Sequence, residues 1–453
     1  MPARPRLIDS ALIILTLIST AVICFCLYHH IYLNGSRFHG FTWHRAPFFP
    51  LVPLTFLCAV PVFILTFLPG PFRCPVIAIP ILTLCSFALE LTSSTLQNNS
   101  TSLRPIIHHT AHAPLAHGFF HDAEGLIATK TSPLTLLRTY PQRMPSHRYH
   151  VRNKGPFTIL YYYCILRLVP DSTGAGRDTA ALIGALGLGL LASLAIPASY
   201  YMLRTFDIPP HPALLALCAY TLMPAQLIFL PEFDTFYVSL TALITAFWWR
   251  ALITSKKRYA IAAALTLSFT TLFAFNTLII AALLIAMTIL RRAPRIALTQ
   301  LTTAFTTVLV FHLLLYLTTG YNPITTFIQA WREQHIAFHA INPPRPWPTT
   351  IATDLTNFLY PLGFLPLILL ISYVLQRRGP SLALGLTCLA LPIFIALTGL
   401  LPSESHRLWL FIIPPLLIPI ATEFPHWPVH HRLTFHFCQC AVLVFLTQNL
   451  KFH

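Results

Sequence analysis

The chain runs to 453 residues, 55% of them hydrophobic and 9% charged, with a mean hydropathy of +0.67. An ordinary soluble domain carries roughly one-quarter charged residues, so a soluble globular protein is excluded. The formal charge of +16 comes from 29 Lys and Arg set in short loops between apolar runs, which is what orientation in a membrane requires, and no nucleic-acid partner is expected.

Runs of about 17 to 25 apolar residues, each able to cross a hydrocarbon core of roughly 30 Å as a helix, recur from end to end. They do not alternate in polarity, which excludes a β-barrel. The expected class is all-α and polytopic, with about thirteen spans. Taken in order, they fall at 11–33, 49–69, 74–92, 179–204, 211–230, 235–253, 258–273, 276–290, 296–318, 357–376, 380–400, 407–423 and 433–450. The opening "MPARPRLIDSALIILTLIST" has the basic start of a signal sequence but no small-residue cleavage site, so it is expected to be the first retained helix. Residues 1–72 read as an N-terminal membrane hairpin, and 73–453 as the main transmembrane domain with two long polar interruptions, 93–178 and 319–356. The cysteines fall almost wholly inside apolar runs and read as small packing residues.

Short basic loops stay in the cytoplasm. Arg4 and Arg6, "SKKR" (Lys256, Lys257, Arg258), "RRAPR" (Arg291, Arg292, Arg295) and "QRR" (Arg377, Arg378) should therefore share one side. The segment "PFTILYYYCILRLVP", 156–170, is too short for a span and suits an interfacial helix, which makes both long interruptions extracytoplasmic. Glu90, Asp122, Glu124, Asp171, Asp178, Glu232, Asp234, Glu333, Asp354 and Glu404 then lie at the outer side, and only Asp9, Asp207 and Glu423 at the inner. A transporter should carry ionisable or unwound positions near mid-helix. Here the acids gather at one membrane face, where the chemistry is expected.

The first outer loop offers Asp122 and Glu124, then Arg138, Arg143, Arg148, Arg152 and Lys154, and ends in an aromatic segment. Carboxylates can take a proton from a hydroxyl nucleophile, and Arg and Lys can hold a departing phosphate. Five histidines lie in "HHTAHAPLAHGFFHDAEG", where His108, His109 and His112 have a metal-like spacing; His117 and His121 beside Asp122 are the candidate ligands of a possible divalent metal. Simpler readings exist: Asp122 and Glu124 as surface-helix caps, Lys154 as an interface anchor, Glu232 and Asp234 as the N-cap and first-turn acid of the next helix, and Glu404 as a cap.

In order, "HDAEG", "NKGPFTILYYY", "GAGRDTAALIGALG", "LPEFDTFYVSLTALITAFWWRA" and "SESHRLWLFIIPPLLIPIA" resemble the motifs of GT-C membrane glycosyltransferases. The nearest group is that of the protein O-mannosyltransferases and lipid A aminoarabinose transferases, and the resemblance covers most of the chain from about Glu90 onward. It implies inverting transfer of a sugar from a polyprenyl-phosphate donor to an acceptor hydroxyl on a glycan, lipid or protein, at the outer face of a bacterial plasma membrane. It also implies roles: Asp122 or Glu124 as the base, Lys154 with Arg152 and Arg407 at the donor phosphate, and Glu232, Asp234 and Glu404 at an acceptor or second acidic site. Here Ala123 separates the first two carboxylates, and Gly155 stands where the family has the first of its prolines. The rival reading is a transporter or flippase of a lipid-linked or anionic solute.

Overall fold

The computed structural model describes residues 6–31, 41–43, 51–68, 74–112, 118–148, 150–169, 174–340, 347–377, 379–401 and 405–452. The chain begins with α1 (Arg6–Tyr28), β1 (Phe41–Trp43), α2 (Leu51–Phe67) and α3 (Pro75–Gln97). The first long interruption is largely helical: α4 (Arg104–Ala111), α5 (Gly118–Ala128), α6 (Pro133–Arg143) and α7 (Phe157–Leu168). Then follow α8 (Ala175–Ser193), α9 (Ala195–Thr205), α10 (Pro210–Thr221), α11 (Pro224–Leu227), α12 (Phe233–Thr254), α13 (Lys257–Thr271), α14 (Ile280–Arg291) and α15 (Pro294–Thr319). The second interruption carries α16 (Pro323–Ala340), and the chain closes with α17 (Ile351–Leu362), α18 (Pro366–Gln376), α19 (Gly379–Thr398), α20 (Ser405–Leu408), α21 (Ile413–Glu423), α22 (Val429–Asn449) and β2 (Leu450–Phe452).

Among the described residues six helices are long and apolar enough to cross a membrane: Ser10–Tyr28, Pro75–Gln97, Ala175–Thr205, Phe233–Thr254, Pro294–Thr319 and Ser381–Thr398. Helices α17 and α18, bent by 107° at their junction, make a seventh if the pair is one broken span rather than a re-entrant loop. The polytopic helical class therefore holds, at a lower count of full-length helices than the apolar runs suggest. The difference has local causes. Run 211–230 breaks before Pro224 into α10 and the short α11, and run 407–423 divides into α20, a 3-10 turn and α21. Run 357–376 bends where Gly363 takes φ +73°; a side chain there would also meet Pro224 Cδ at 2.9 Å, so only glycine fits.

Antiparallel pairing of β1 with β2 sets Thr42 opposite Lys451, which brings the α1–α2 connection beside the end of α22. Helix α12 meets Arg407 at its start, and its 22 residues rise about 33 Å to the basic "SKKR" connection. Near the end of α12 Phe206 stacks on Trp249, with ring centroids 4.8 Å apart. Helix α7, at 12 residues, rises only about 18 Å, which is short of a bilayer core. It is held between α5 and α12 by rings: Phe120 meets Tyr162 at 5.5 Å, and Phe119 and Tyr161 meet Phe233 at 5.3 and 5.4 Å.

Candidate functional site

The start of α12 reads Glu232-Phe233-Asp234. Glu232 occupies the N-cap position, yet its side chain makes no capping hydrogen bond. Its carboxylate faces Arg407 instead, with Oε1 3.2 Å from Nη1, and the same nitrogen lies 3.7 Å from Asp234 Oδ2. The other Asp234 oxygen accepts from Lys154 Nζ at 2.6 Å. Arg407, Asp234, Lys154 and Glu232 are 3%, 2%, 6% and 8% exposed. Two cations and two carboxylates balance, without which so many desolvated charges would not persist together. Burial pushes the Glu232 carboxyl above its usual range, and Arg407 opposes that rise. His150 Nδ1 lies 3.3 Å from Arg407 Nη2, and the Lys154 ammonium stands 5.3 Å from the centre of the Tyr237 ring.

Lys154 is placed by its backbone. It bridges to Ala274, while Gly155 N–H donates to Phe273 O at 2.8 Å and Phe157 N–H to Leu272 O at 3.0 Å. A Cβ on Gly155 would overlap the Leu272 carbonyl, so this close passage of two backbones requires glycine where a proline is expected. The Tyr140 hydroxyl donates to Lys154 O at 3.0 Å. Below Lys154 opens a cavity of about 390 Å³ lined mainly by apolar groups, among them Phe275, Ile279, Ile285, Phe327 and Leu401.

Asp122 and Glu124 are both inside α5. At about 100° per residue they leave the helix roughly 200° apart. Asp122 Oδ2 faces His147 Nδ1 at 3.1 Å. His147 in turn lies against Tyr140, with ring centroids 5.7 Å apart. Burial lifts the Tyr140 hydroxyl well above its ordinary pKa, and Tyr321 and Asp122 add to the rise. Tyr140 thus touches both Lys154 and the neighbourhood of Asp122.

Glu124 has different company. Arg177 Nε and Nη2 both donate to its carboxylate, the second at 3.1 Å, and His121 Nδ1 lies 3.1 Å from Oε2. Arg177 also donates to Ala111 O at 2.6 Å and contacts His112, which reaches Asp178 at 3.3 Å. This network ties α4 and α5 to the start of α8. Burial lowers the His121 pKa, and Arg148 reinforces that. His109 is 3.1 Å from the Asn98 side-chain oxygen. His117, the other candidate metal ligand, lies outside the described residues. Among the described residues no group of three or more His, Cys, Asp or Glu is arranged to hold a metal ion.

Of the residues expected at the site, Lys154, Arg407, Glu232 and Asp234 meet. Arg152 does not join them. Residues 150–153 turn, so Arg152 leaves in another direction: Nε donates to His147 O at 2.6 Å and Nη1 lies 3.8 Å from Glu333. Glu404 lies outside the described residues; its neighbour Ser405 donates to Asp354 O at 2.6 Å. Glu90, expected among the outer-end acids, is buried within α3 and accepts from Gln226 Nε2 at 2.6 Å. His147, His150, Tyr140 and Tyr237 were not singled out by sequence. The two histidines are only a few residues before Lys154, and Tyr237 follows Asp234 by one helical turn, which is the signal that was there to use. No protein-family model matches this chain and no curated protein matches it, so what the site does is argued from its own geometry.

Proposed function

We propose that the protein is a GT-C-like glycosyltransferase that moves a sugar from a polyprenyl-phosphate carrier to an acceptor hydroxyl, with inversion, at the extracytoplasmic face of the membrane. The observation that carries this reading is the position of Lys154. It stands between a buried constellation of charge and an apolar cavity, which is the arrangement a lipid phosphate needs: chain in the cavity, headgroup against cations. Arg407 supplies the second cation, and Glu232 and Asp234 hold both cations in place.

In the step proposed, the acceptor oxygen attacks the anomeric carbon and its proton passes to Asp122. The carbon–oxygen bond to the phosphate breaks, and its electron pair leaves with the phosphate toward Lys154 and Arg407. Asp122 is the choice for base because Glu124 is occupied by Arg177 and His121, whereas Asp122 faces His147, on the Tyr140 side that leads to Lys154. A buried, water-poor setting strengthens each of these charge contacts.

The test is transfer from radiolabelled polyprenyl-phosphate sugar by the purified full-length protein. A positioned base contributes roughly 10² to 10⁴ in rate, so Asp122→Asn should lose about that factor while Glu124→Gln retains turnover. Equal rates for Asp122→Asn and the parent would remove Asp122 from the mechanism. Loss of function only on changing mid-span residues would favour the transporter.

A further inference from the structure

Helix α16 stands between two cavities. Phe327, Ala330, Trp331 and Gln334, at helical spacing, line the apolar cavity below Lys154. From its other face Thr325, Gln329, Arg332 and Glu333 line a second cavity of about 560 Å³, completed by Pro141, Gln142 and Pro145 of the first outer loop. Sites for small molecules span roughly 300 to 1,000 Å³, so the second cavity is of ligand size.

The second cavity is open, and its walls mix polar side chains with the apolar surface of Pro141, Pro145, Ile328 and Ile336. Glu333 is 6% exposed, with Oε1 accepting from Gln329 Nε2 at 2.8 Å and Oε2 3.8 Å from Arg152. Its apolar members Ile328 and Ile336 are exposed at 59% and 50%, so the buried member of the lining is a carboxylate. Amides from Gln142 and Gln329, the Arg332 guanidinium and the Glu333 carboxylate together offer donors and acceptors at several points. The segment that completes the chamber begins beside Tyr140 and ends beside His147, the neighbour of Asp122. Asn153 of the Lys154 segment donates to Gln334 on the apolar face.

We infer that this chamber holds the acceptor, and that the acceptor is a hydroxyl-rich saccharide. Neighbouring sugar hydroxyls donate and accept at once, which is what these groups match. The inference rests on the glycosyltransferase reading, and α16 is then the partition that keeps lipid donor and polar acceptor apart.

The experiment uses the full-length protein in lipid nanodiscs. Hydrogen exchange of residues 325–336 is followed with maltotriose, mannotriose, chitotriose and a serine- and threonine-containing tripeptide, each at millimolar concentration; binding of undecaprenyl phosphate is measured in parallel. At least one trisaccharide should protect 325–336. That protection should need about tenfold more sugar in Gln329→Ala and in Gln142→Trp, while both variants bind undecaprenyl phosphate as the parent does, which also reports that they fold. Protection by the tripeptide alone, by none of the four, or undiminished in both variants overturns the inference. Failure of the parent to bind undecaprenyl phosphate overturns the donor reading instead, whatever the sugars do.

Discussion

Two pairs of carboxylates have the same spacing and opposite fates. Asp122 and Glu124 flank one residue, as do Glu232 and Asp234. The first pair is inside a helix, so the two side chains diverge, one to His147 and one to Arg177. The second pair straddles a helix start: Glu232 has extended backbone, φ −90° and ψ 141°, and Asp234 is in the first turn, so both carboxylates come within reach of Arg407. Local backbone, rather than sequence separation, decides whether two acids act together.

The sharpest way to break that comparison is to remove the shared cation. Arg407→Ala removes the cation that the two buried carboxylates share, and breaking a buried pair costs about 3 to 5 kcal/mol. Thermal unfolding in detergent should fall by an amount consistent with that, and sugar transfer should vanish. Lys154→Met comes next: undecaprenyl-phosphate binding should weaken by about tenfold or more, since a charge-assisted contact is lost, and direct binding measurement checks it. Glu232→Gln keeps shape but removes a charge. Because burial raises the Glu232 pKa, its charge is lost as pH falls at a value above that of an ordinary carboxylate. The acid limb of the transfer profile should therefore move to lower pH in the variant, and an unmoved limb would assign that limb to another group.

The smallest effect belongs to the divergent pair. Burial lowers the His121 pKa in the fold below its ordinary value of 6.5, so the fold favours the neutral ring. Its contribution is present above pH 6.5 and is lost as pH falls from there toward the lowered folded value. His121→Gln should flatten that stretch of the stability curve, read by thermal melts between pH 7 and 5, without altering transfer at neutral pH.

Much of the architecture was legible in the chain itself. Long apolar runs forced a helical membrane protein, since no other element of this chain satisfies its backbone within a bilayer. The family resemblance names Lys154, Arg407, Glu232 and Asp234 among its site residues, and the fold brings these four together. The shorter helices were harder to see. A run such as 407–423 is uniformly apolar, and whether it continues as one helix or turns at its prolines depends on what packs beside it.

Sequence alone thus determined that long apolar helices dominate this protein, because that depends on composition along single runs. Only the tertiary structure decided the partnerships. Arg407 and His150 are 257 residues apart, Lys154 and Asp234 are 80 apart, and the apolar cavity below Lys154 is walled by several helices at once. Side-chain direction at a helix start, the passage of Gly155 against Leu272 and the two faces of α16 are set by packing between distant segments, which no local pattern encodes.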